Sequence, residues 1–92
     1  MASKYKKIIT NAKNMLTLYA FPTCPYCTKV RDFLNENNIS FEEIDATEPE
    51  NEKKLIELGG KRQVPYLVDD EHNVAMYESD AIINFLKETY TK

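Results

Sequence analysis

The stretch MLTLYAFPTCPYC, residues 15–27, decides the fold of this chain. Its first six residues are mostly apolar and rich in β-formers, so they predict a strand over residues 15–20. After a short turn come the two cysteines of the chain, Cys24 and Cys27. Pro25 suits the first position of a helix, because its missing N–H is not needed there. The stretch therefore predicts a strand that leads into a helix whose first turn carries both thiols.

The two thiols are suited to redox chemistry, because a dithiol at this spacing can cycle with a disulfide. The reactive species is the thiolate, and a free cysteine with a pKa near 8.5 is only about 3% ionised at pH 7. Unpaired N–H groups at a helix start stabilise an anion placed there. We therefore assign Cys24 as the attacking thiol and Cys27, one turn inside the helix, as the resolving thiol.

A structural disulfide and a metal site are the two other interpretations of the cysteines. A disulfide across two intervening residues closes a loop too small to stabilise the fold much. A closed zinc site usually needs four Cys or His ligands, and His72 is the only histidine of the sequence. Redox chemistry is therefore the favoured interpretation.

The composition is that of one globular domain. The chain has 92 residues, of which 42% are hydrophobic and 29% are charged. No stretch approaches the roughly 18 apolar residues that a membrane span needs, and residues 1–14 lack the apolar core of a secretory signal. Because free thiols persist in reducing compartments, we expect a cytoplasmic location and no membrane partner.

The net charge of −3 is unevenly distributed. Residues 1–14 carry four lysines and no acidic residue, which leaves eight basic residues against fifteen acidic ones in the rest of the chain. We therefore divide the chain into a basic arm, residues 1–14, and a folded domain, residues 15–92. Four lysines in fourteen residues are too sparse to indicate a nucleic-acid partner, and none is expected.

The remaining pattern predicts a βαβ unit, then a helix, then a ββα unit. Thr47 and Glu50 have the spacing of a capping box, and Gly59 and Gly60 would end the helix that follows. Ser79 is a candidate cap for the last helix. The predicted strands cover residues 15–20, 40–44, 64–68 and 73–76, and the first two helices cover residues 25–37 and about 47–58.

Three motifs in this order resemble those of the glutaredoxins, and the resemblance covers about residues 15–90. The CPYC motif of residues 24–27 resembles the dithiol glutaredoxin active site, and the QVP motif of residues 63–65 resembles the segment whose cis-proline faces it. The YESD motif of residues 77–80 departs from the Gly-Gly-x-Asp of small glutaredoxins. It is similar to the Glu-Ser pair of glutathione transferase N-terminal domains and to bacterial two-domain glutaredoxins. The resemblance implies an α/β, thioredoxin-like fold with a mixed four-stranded sheet flanked by helices.

The resemblance also implies a glutathione site and no tightly bound cofactor. The backbone of Val64, next to a cis Pro65, would pair with the cysteinyl amide of glutathione as a short added strand. The N–H groups and hydroxyl of Ser79, at a helix start, would take the γ-glutamyl carboxylate. Glu78 or Asp80 would meet the α-amino group.

The other implied contacts lie at the mouth of this site. Lys61, Arg62 and Gln63 are candidates for the glycine carboxylate of glutathione, and Tyr26 would line the mouth. Phe21 stands where small glutaredoxins often carry a lysine.

By resemblance, the chain is a glutathione-dependent thiol–disulfide oxidoreductase that reduces protein–glutathione mixed disulfides and protein disulfides. Its expected partners are glutathione and glutathionylated or disulfide-containing proteins, and a monomer is expected. Three alternatives stay open. They are a thioredoxin-type reductase served by a reductase enzyme, a module in which Cys24 and glutathione hold an iron–sulfur cluster between two chains, and a glutathione transferase with an added helical domain.

Overall fold

Four strands and three helices make up the part of the chain that the computed structural model describes, residues 16–91. The predicted basic arm, residues 1–14, lies outside these residues. The elements in chain order are β1 (Leu16–Ala20), α1 (Pro25–Glu36), β2 (Glu42–Asp45), α2 (Pro49–Gly59), β3 (Tyr66–Asp69), β4 (Val74–Tyr77) and α3 (Ser79–Tyr90).

The strands form one mixed sheet in the order β2-β1-β3-β4. β1 runs parallel to β2, and Tyr19 lies opposite Ile44. β3 is antiparallel to β1, with Leu67 opposite Leu18, and it continues into β4 as the predicted hairpin. A parallel pair needs a crossover, which α1 provides. The predicted thioredoxin-like α/β fold is confirmed.

The alternation of side chains along β1 divides the core into two layers. Leu16, Leu18 and Ala20 point to the face that α1 and α3 cover, where they pack with Cys27 and other buried residues of both helices. Tyr19 points to the opposite face. There a smaller cluster contains Tyr19, Ala46, Tyr66 and Leu55 of α2. The resolving-thiol candidate is thus part of the main core, on the helix that β1 leads into.

Two predicted helix starts are wrong. The Asp45 carboxylate accepts bonds from both the N–H and the hydroxyl of Thr47, at 2.9 and 2.6 Å, so Thr47 turns back toward the strand end and caps no helix. Glu48 holds the N-cap position of α2. Likewise, Glu78 holds the N-cap position of α3, and Ser79 is the first residue of that helix.

Other boundaries differ by one or two residues from the predicted ones. β2 begins at Glu42, two residues later than predicted, because its pairing with β1 starts at the Thr17–Glu42 pair. Gly60 ends α2 in a left-handed conformation with a φ of 93°, as expected for a glycine stop. No helix within residues 16–91 is long and apolar enough to cross a membrane.

Candidate active site

The start of α1 holds the two thiols at different depths. Cys24 is the N-cap residue, in an extended conformation, and Pro25 is the first helical residue, as predicted. The Cys24 carbonyl accepts bonds from the N–H and the hydroxyl of Thr28, at 3.0 and 3.1 Å, which fixes the first turn. Cys27 is fully buried in the core, whereas Cys24 is only partly buried. Cys24 is thus the more accessible thiol.

Opposing effects act on the pKa of Cys24. Burial alone raises this pKa, but hydrogen bonds from the N–H and the thiol of Cys27 lower it. The N–H of Tyr26 and the positive charge of Arg31 act in the same lowering direction. Together they outweigh burial, so the pKa of Cys24 lies below the ordinary value for a cysteine and its thiolate is favoured.

The same surroundings have the opposite effect on Cys27. Burial is the main cause that raises the pKa of Cys27 to about 12, and the nearby Cys24 raises it further. A hydrogen bond from the Phe21 backbone and the charge of Arg31 offset only part of this. At neutral pH Cys27 is therefore a protonated thiol that stabilises the thiolate beside it.

The QVP segment contains the predicted cis peptide bond, between Val64 and Pro65. Pro65 is buried and Val64 is half-buried against both core clusters. Cys24 packs against the larger of these clusters. The segment that leads into β3 and the start of α1 therefore pack against the same core.

A groove of about 370 Å³ joins the three motifs. Its lining comprises seven residues that the sequence had indicated, namely Tyr26, Gln63, Val64, Pro65, Glu78, Ser79 and Asp80. The groove thus unites the first turn of α1, the segment before β3 and the first turn of α3.

The start of α3 forms one wall of this groove with an unusual backbone. Glu78 has a φ of 79°, although it has a side chain that disfavours this region. Its carboxylate accepts a bond from the Gln63 side chain at 3.3 Å, which connects α3 to the segment before β3. Ser79 is buried, and the next carboxylate, Asp80, is paired with Lys29 of α1 at 2.8 Å.

Arg62 and Lys61 lie outside the groove lining. The guanidinium of Arg62 pairs with Glu52 and lies 5.0 Å from the centre of the Phe21 ring. The Lys61 ammonium lies 4.9 Å from the centre of the Tyr77 ring. A cation thus lies against Phe21, the residue that stands where small glutaredoxins often carry a lysine.

Lys29 and Glu52 are site neighbours that the sequence analysis missed. Asp80 stands 51 residues from Lys29, so no local spacing predicts their pairing. One signal was available, because Lys29 is three residues after Tyr26 and therefore lies on the same side of α1.

His72, the other candidate metal ligand, contacts side chains of β3 and α3. His72 pairs with Asp69 at 2.8 Å and forms an edge contact with Tyr90. Within residues 16–91, no group of three or more His, Cys, Asp or Glu side chains is arranged to hold a metal ion.

Comparison with known proteins identifies the family. A family model described as the glutathione S-transferase N-terminal domain matches residues 18–92. Glutaredoxin 1 of Rickettsia felis is 36% identical over 76 residues, which cover 79% of this chain and 72% of the relative. This chain belongs to the glutaredoxins. The family and the fold give this glutaredoxin a glutathione-related thiol redox function.

Solved structures show the same fold in larger proteins. A glutathione S-transferase from the Antarctic clam Laternula elliptica superposes with a TM-score of 0.73 at 29% identity, covering 86% of this glutaredoxin and 36% of the transferase. Glutathione transferase Omega 3C from Trametes versicolor gives 0.72 at 26% identity, covering 88% and 36%. The glutaredoxin therefore spans just over a third of these transferases.

Proposed function

We propose that this glutaredoxin reduces protein–glutathione mixed disulfides and protein disulfides, with glutathione as the reducing co-substrate. The observation that supports this most is the divergence of the two thiols. Cys24 is accessible and its pKa is lowered, whereas Cys27 is fully buried and its pKa is raised to about 12. One thiol is prepared to attack and to leave as a thiolate, and the other holds its proton.

The first reaction is thiol–disulfide exchange at the glutathionyl sulfur. The Cys24 thiolate attacks this sulfur, the bond to the target sulfur breaks, and the target leaves as a thiolate that takes a proton from water. The thiolate of a second glutathione then attacks the glutathionyl sulfur, and Cys24 leaves. The net result is that the target thiol is released and one free glutathione is oxidised, since its sulfur joins the glutathionyl sulfur as glutathione disulfide.

The lowered pKa acts mainly on the second step. A lower pKa raises the thiolate fraction of Cys24 at neutral pH, while a Brønsted slope of about 0.45 means that the same shift weakens the nucleophile and offsets much of that gain. The gain is therefore small when Cys24 attacks. It is larger when Cys24 leaves, because a thiol of lower pKa is a better leaving group.

For protein disulfides the second thiol takes part. Cys24 forms a mixed disulfide with the target, Cys27 loses its proton and attacks the Cys24 sulfur, and the target sulfur takes up a proton and leaves as a thiol. The resulting Cys24–Cys27 disulfide is then reduced by two molecules of glutathione. Glutaredoxin potentials of about −200 to −230 mV are close to that of the cytosolic glutathione pool, which can therefore restore the dithiol.

The groove offers a site for each part of glutathione. The cysteinyl segment of glutathione lies along Val64 as a short added strand beside Pro65. The first N–H groups of α3, at Ser79, face the γ-glutamyl carboxylate, and Glu78 or Asp80 takes the α-ammonium group. This arrangement directs the glutathionyl sulfur toward the end of α1 that carries Cys24.

The three candidates for the glycine carboxylate differ in their present contacts, and the Gln63 side chain donates to Glu78 at 3.3 Å. Gln63 lines the groove, whereas Arg62 is paired with Glu52 and Lys61 lies over the Tyr77 ring. Tyr26 is 64% exposed at the groove, a position suited to contact with the bound target.

A coupled assay tests the proposed function. The protein is given a glutathionylated peptide, glutathione, glutathione reductase and NADPH, and turnover is followed as NADPH consumption. In a parallel reaction, a disulfide-containing protein is supplied with thioredoxin reductase in place of glutathione. We expect turnover in the first reaction and little in the second. Turnover that needs thioredoxin reductase and does not depend on glutathione would instead favour the thioredoxin-type alternative.

A further inference from the structure

One ion pair lies at the rim of the groove, and its lysine plays no part in the chemistry described so far. The ammonium of Lys29, on α1, lies 2.8 Å from one carboxylate oxygen of Asp80, in the first turn of α3. Among the ion pairs within residues 16–91, it is the one that includes a residue of the groove lining. The pair joins the helix that carries the thiols to the helix that starts at the groove.

The charges of the groove are unbalanced without Lys29. Among residues 16–91, its lining contains two carboxylates, Glu78 and Asp80, and no lysine or arginine. The two cations before Val64 are engaged elsewhere, Arg62 with Glu52 and Lys61 over an aromatic ring. Of the lysines and arginines in the described part of the chain, Lys29 is thus the one in direct contact with a lining carboxylate.

The γ-glutamyl end of glutathione needs both signs of charge in one place. Its α-ammonium and α-carboxylate groups are attached to the same carbon atom, so an anion alone would attract one and repel the other. Asp80 and Lys29 present an anion and a cation side by side. A carboxylate accepts bonds at both oxygens and an ammonium group has three N–H donors, so each side chain can keep its partner and bind a ligand group as well.

We propose that Lys29 is a glutathione-binding residue that takes the α-carboxylate of the γ-glutamyl group while it holds Asp80 toward the α-ammonium group. This inference rests on the proposed function, because it assumes that the γ-glutamyl end lies at the start of α3. Ser79 contributes its N–H and hydroxyl to the same carboxylate. Lys29 thereby completes a site in which each charge of the amino-acid end of glutathione meets its opposite.

The expected size of the effect follows from exposure. The side chains of Lys29 and Asp80 are 55% and 82% exposed, so water and salt screen their interactions. An exposed ion pair of this kind changes an equilibrium about two- to five-fold, and the change diminishes as ionic strength rises.

Substrate analogues separate binding by Lys29 from a structural role. Three mixed disulfides are made on one peptide, with glutathione, with γ-aminobutyryl-cysteinyl-glycine, which lacks the α-carboxylate, and with glutaryl-cysteinyl-glycine, which lacks the α-amino group. KM is measured for wild type, Lys29→Gln, Lys29→Arg and the control Lys87→Gln, which removes a lysine from the last turn of α3. Thermal unfolding of each variant is recorded alongside.

We expect Lys29→Gln to raise KM about two- to five-fold for the glutathionyl substrate and to leave KM unchanged for the analogue without the carboxylate. Lys29→Arg should recover most of the loss, and Lys87→Gln should match wild type. An equal rise for both substrates would overturn the inference and make the pair a structural link between helices, while no rise at all would overturn it and leave the proposed function intact. If wild type itself does not distinguish the three substrates, the γ-glutamyl site fails together with the inference.

Discussion

Cys24 and Cys27 stand at the start of α1, where burial and the hydrogen bond between the two thiols raise the pKa of Cys27, while the same bond helps to lower the pKa of Cys24. The bond favours the Cys24 thiolate, because a protonated Cys27 can donate to it. The same bond makes ionisation of Cys27 harder, since Cys27 would then lose its acceptor and face a like charge. The pair is therefore asymmetric in the reduced state, before any substrate binds.

This asymmetry predicts the order of alkylation. Brief treatment with iodoacetamide at pH 6 should label Cys24 first, because its lowered pKa gives it a larger thiolate fraction than Cys27, which is fully buried with a pKa of about 12. Mass mapping of the labelled peptide measures the order. The control is the urea-unfolded protein, where the two thiols should react at similar rates. Preferential labelling of Cys27 in the folded protein would reverse the proposed roles.

Substitution of either thiol should affect different substrates. Cys24→Ser is expected to abolish turnover of every disulfide. Cys27→Ser should retain substantial turnover of a small glutathione mixed disulfide, since a second glutathione can release Cys24 without the buried thiol. The same variant should lose most of its activity on a protein disulfide. Equal loss in both variants on the small substrate would contradict the one-thiol route.

The positions of the thiols could be predicted because the signals that set them are local. An apolar strand, a turn and Pro25 together fix the start of α1 at Cys24, and the apolar residues at helical spacing bury Cys27. The resemblance added what local signals do not contain, the cis bond before Pro65 and the expectation that residues 63–65 and 77–80 line one groove.

The features that sequence analysis did not predict depend on competing hydrogen bonds, on local backbone conformation or on contacts between residues far apart in the chain. Thr47 has the residue type of a helix cap, but its hydroxyl donates a hydrogen bond to the nearby Asp45 carboxylate instead. Ser79 also has a capping residue type, but the backbone turn at Glu78 moves the helix start by one residue. The partner of Lys29 lies on a helix 51 residues away, which only the assembled fold brings close.

The backbone conformation at Glu78 predicts that replacing this residue by glycine raises the stability of the protein and weakens its binding of glutathionyl substrates. A residue with a side chain at a φ of 79° and a ψ of 115° is strained, at a cost of about 1–3 kcal/mol, and glycine relieves most of it. We expect Glu78→Gly to stabilise the protein by about 1 kcal/mol and to weaken binding of glutathionyl substrates, because one groove carboxylate is lost. Urea unfolding and KM measure the two effects.

Asn38→Gly is the matched control for this stability change. Asn38 has a φ of 56°, a region that asparagine tolerates well, so its replacement should gain less. A Glu78→Gly protein that is less stable than wild type would show that the Gln63–Glu78 bond outweighs the backbone strain.

Ser79→Ala should change binding more than stability. Since Glu78 and not Ser79 occupies the N-cap position, no cap residue is removed, and alanine is the better helix former. A hydrogen bond to a charged group contributes about 1.5–3 kcal/mol, so KM for glutathionyl substrates should rise roughly 10- to 150-fold. The pKa of Cys24 should not change, because Ser79 begins a different helix. An unchanged KM would show that the hydroxyl does not meet the γ-glutamyl carboxylate.

A hydrogen bond at the C-terminal end of α3 predicts that the protein loses stability at high pH. Asp69 is fully buried and accepts bonds from the Tyr90 hydroxyl at 2.6 Å and from the backbone N–H of His72 at 3.2 Å. Burial raises the pKa of Tyr90, and the bond to Asp69 raises it further. The neutral phenol is thus favoured in the folded state. Its contribution to stability is complete below the unfolded pKa of about 10 and is lost as pH rises through the higher folded pKa.

Tyr90→Phe separates this contribution from the rest of the alkaline response. At pH 8 the variant should be less stable by about 1–3 kcal/mol, because the buried Asp69 carboxylate loses a donor. Between pH 10 and 12 its stability should fall less steeply than that of wild type, although burial of Tyr19 and Tyr66 also raises the pKa of each and leaves part of the slope in place. The measurement is urea unfolding across this range, with Tyr26→Phe as the control that removes an exposed phenol. Equal slopes in wild type and Tyr90→Phe would show that the Tyr90–Asp69 bond carries no pH dependence.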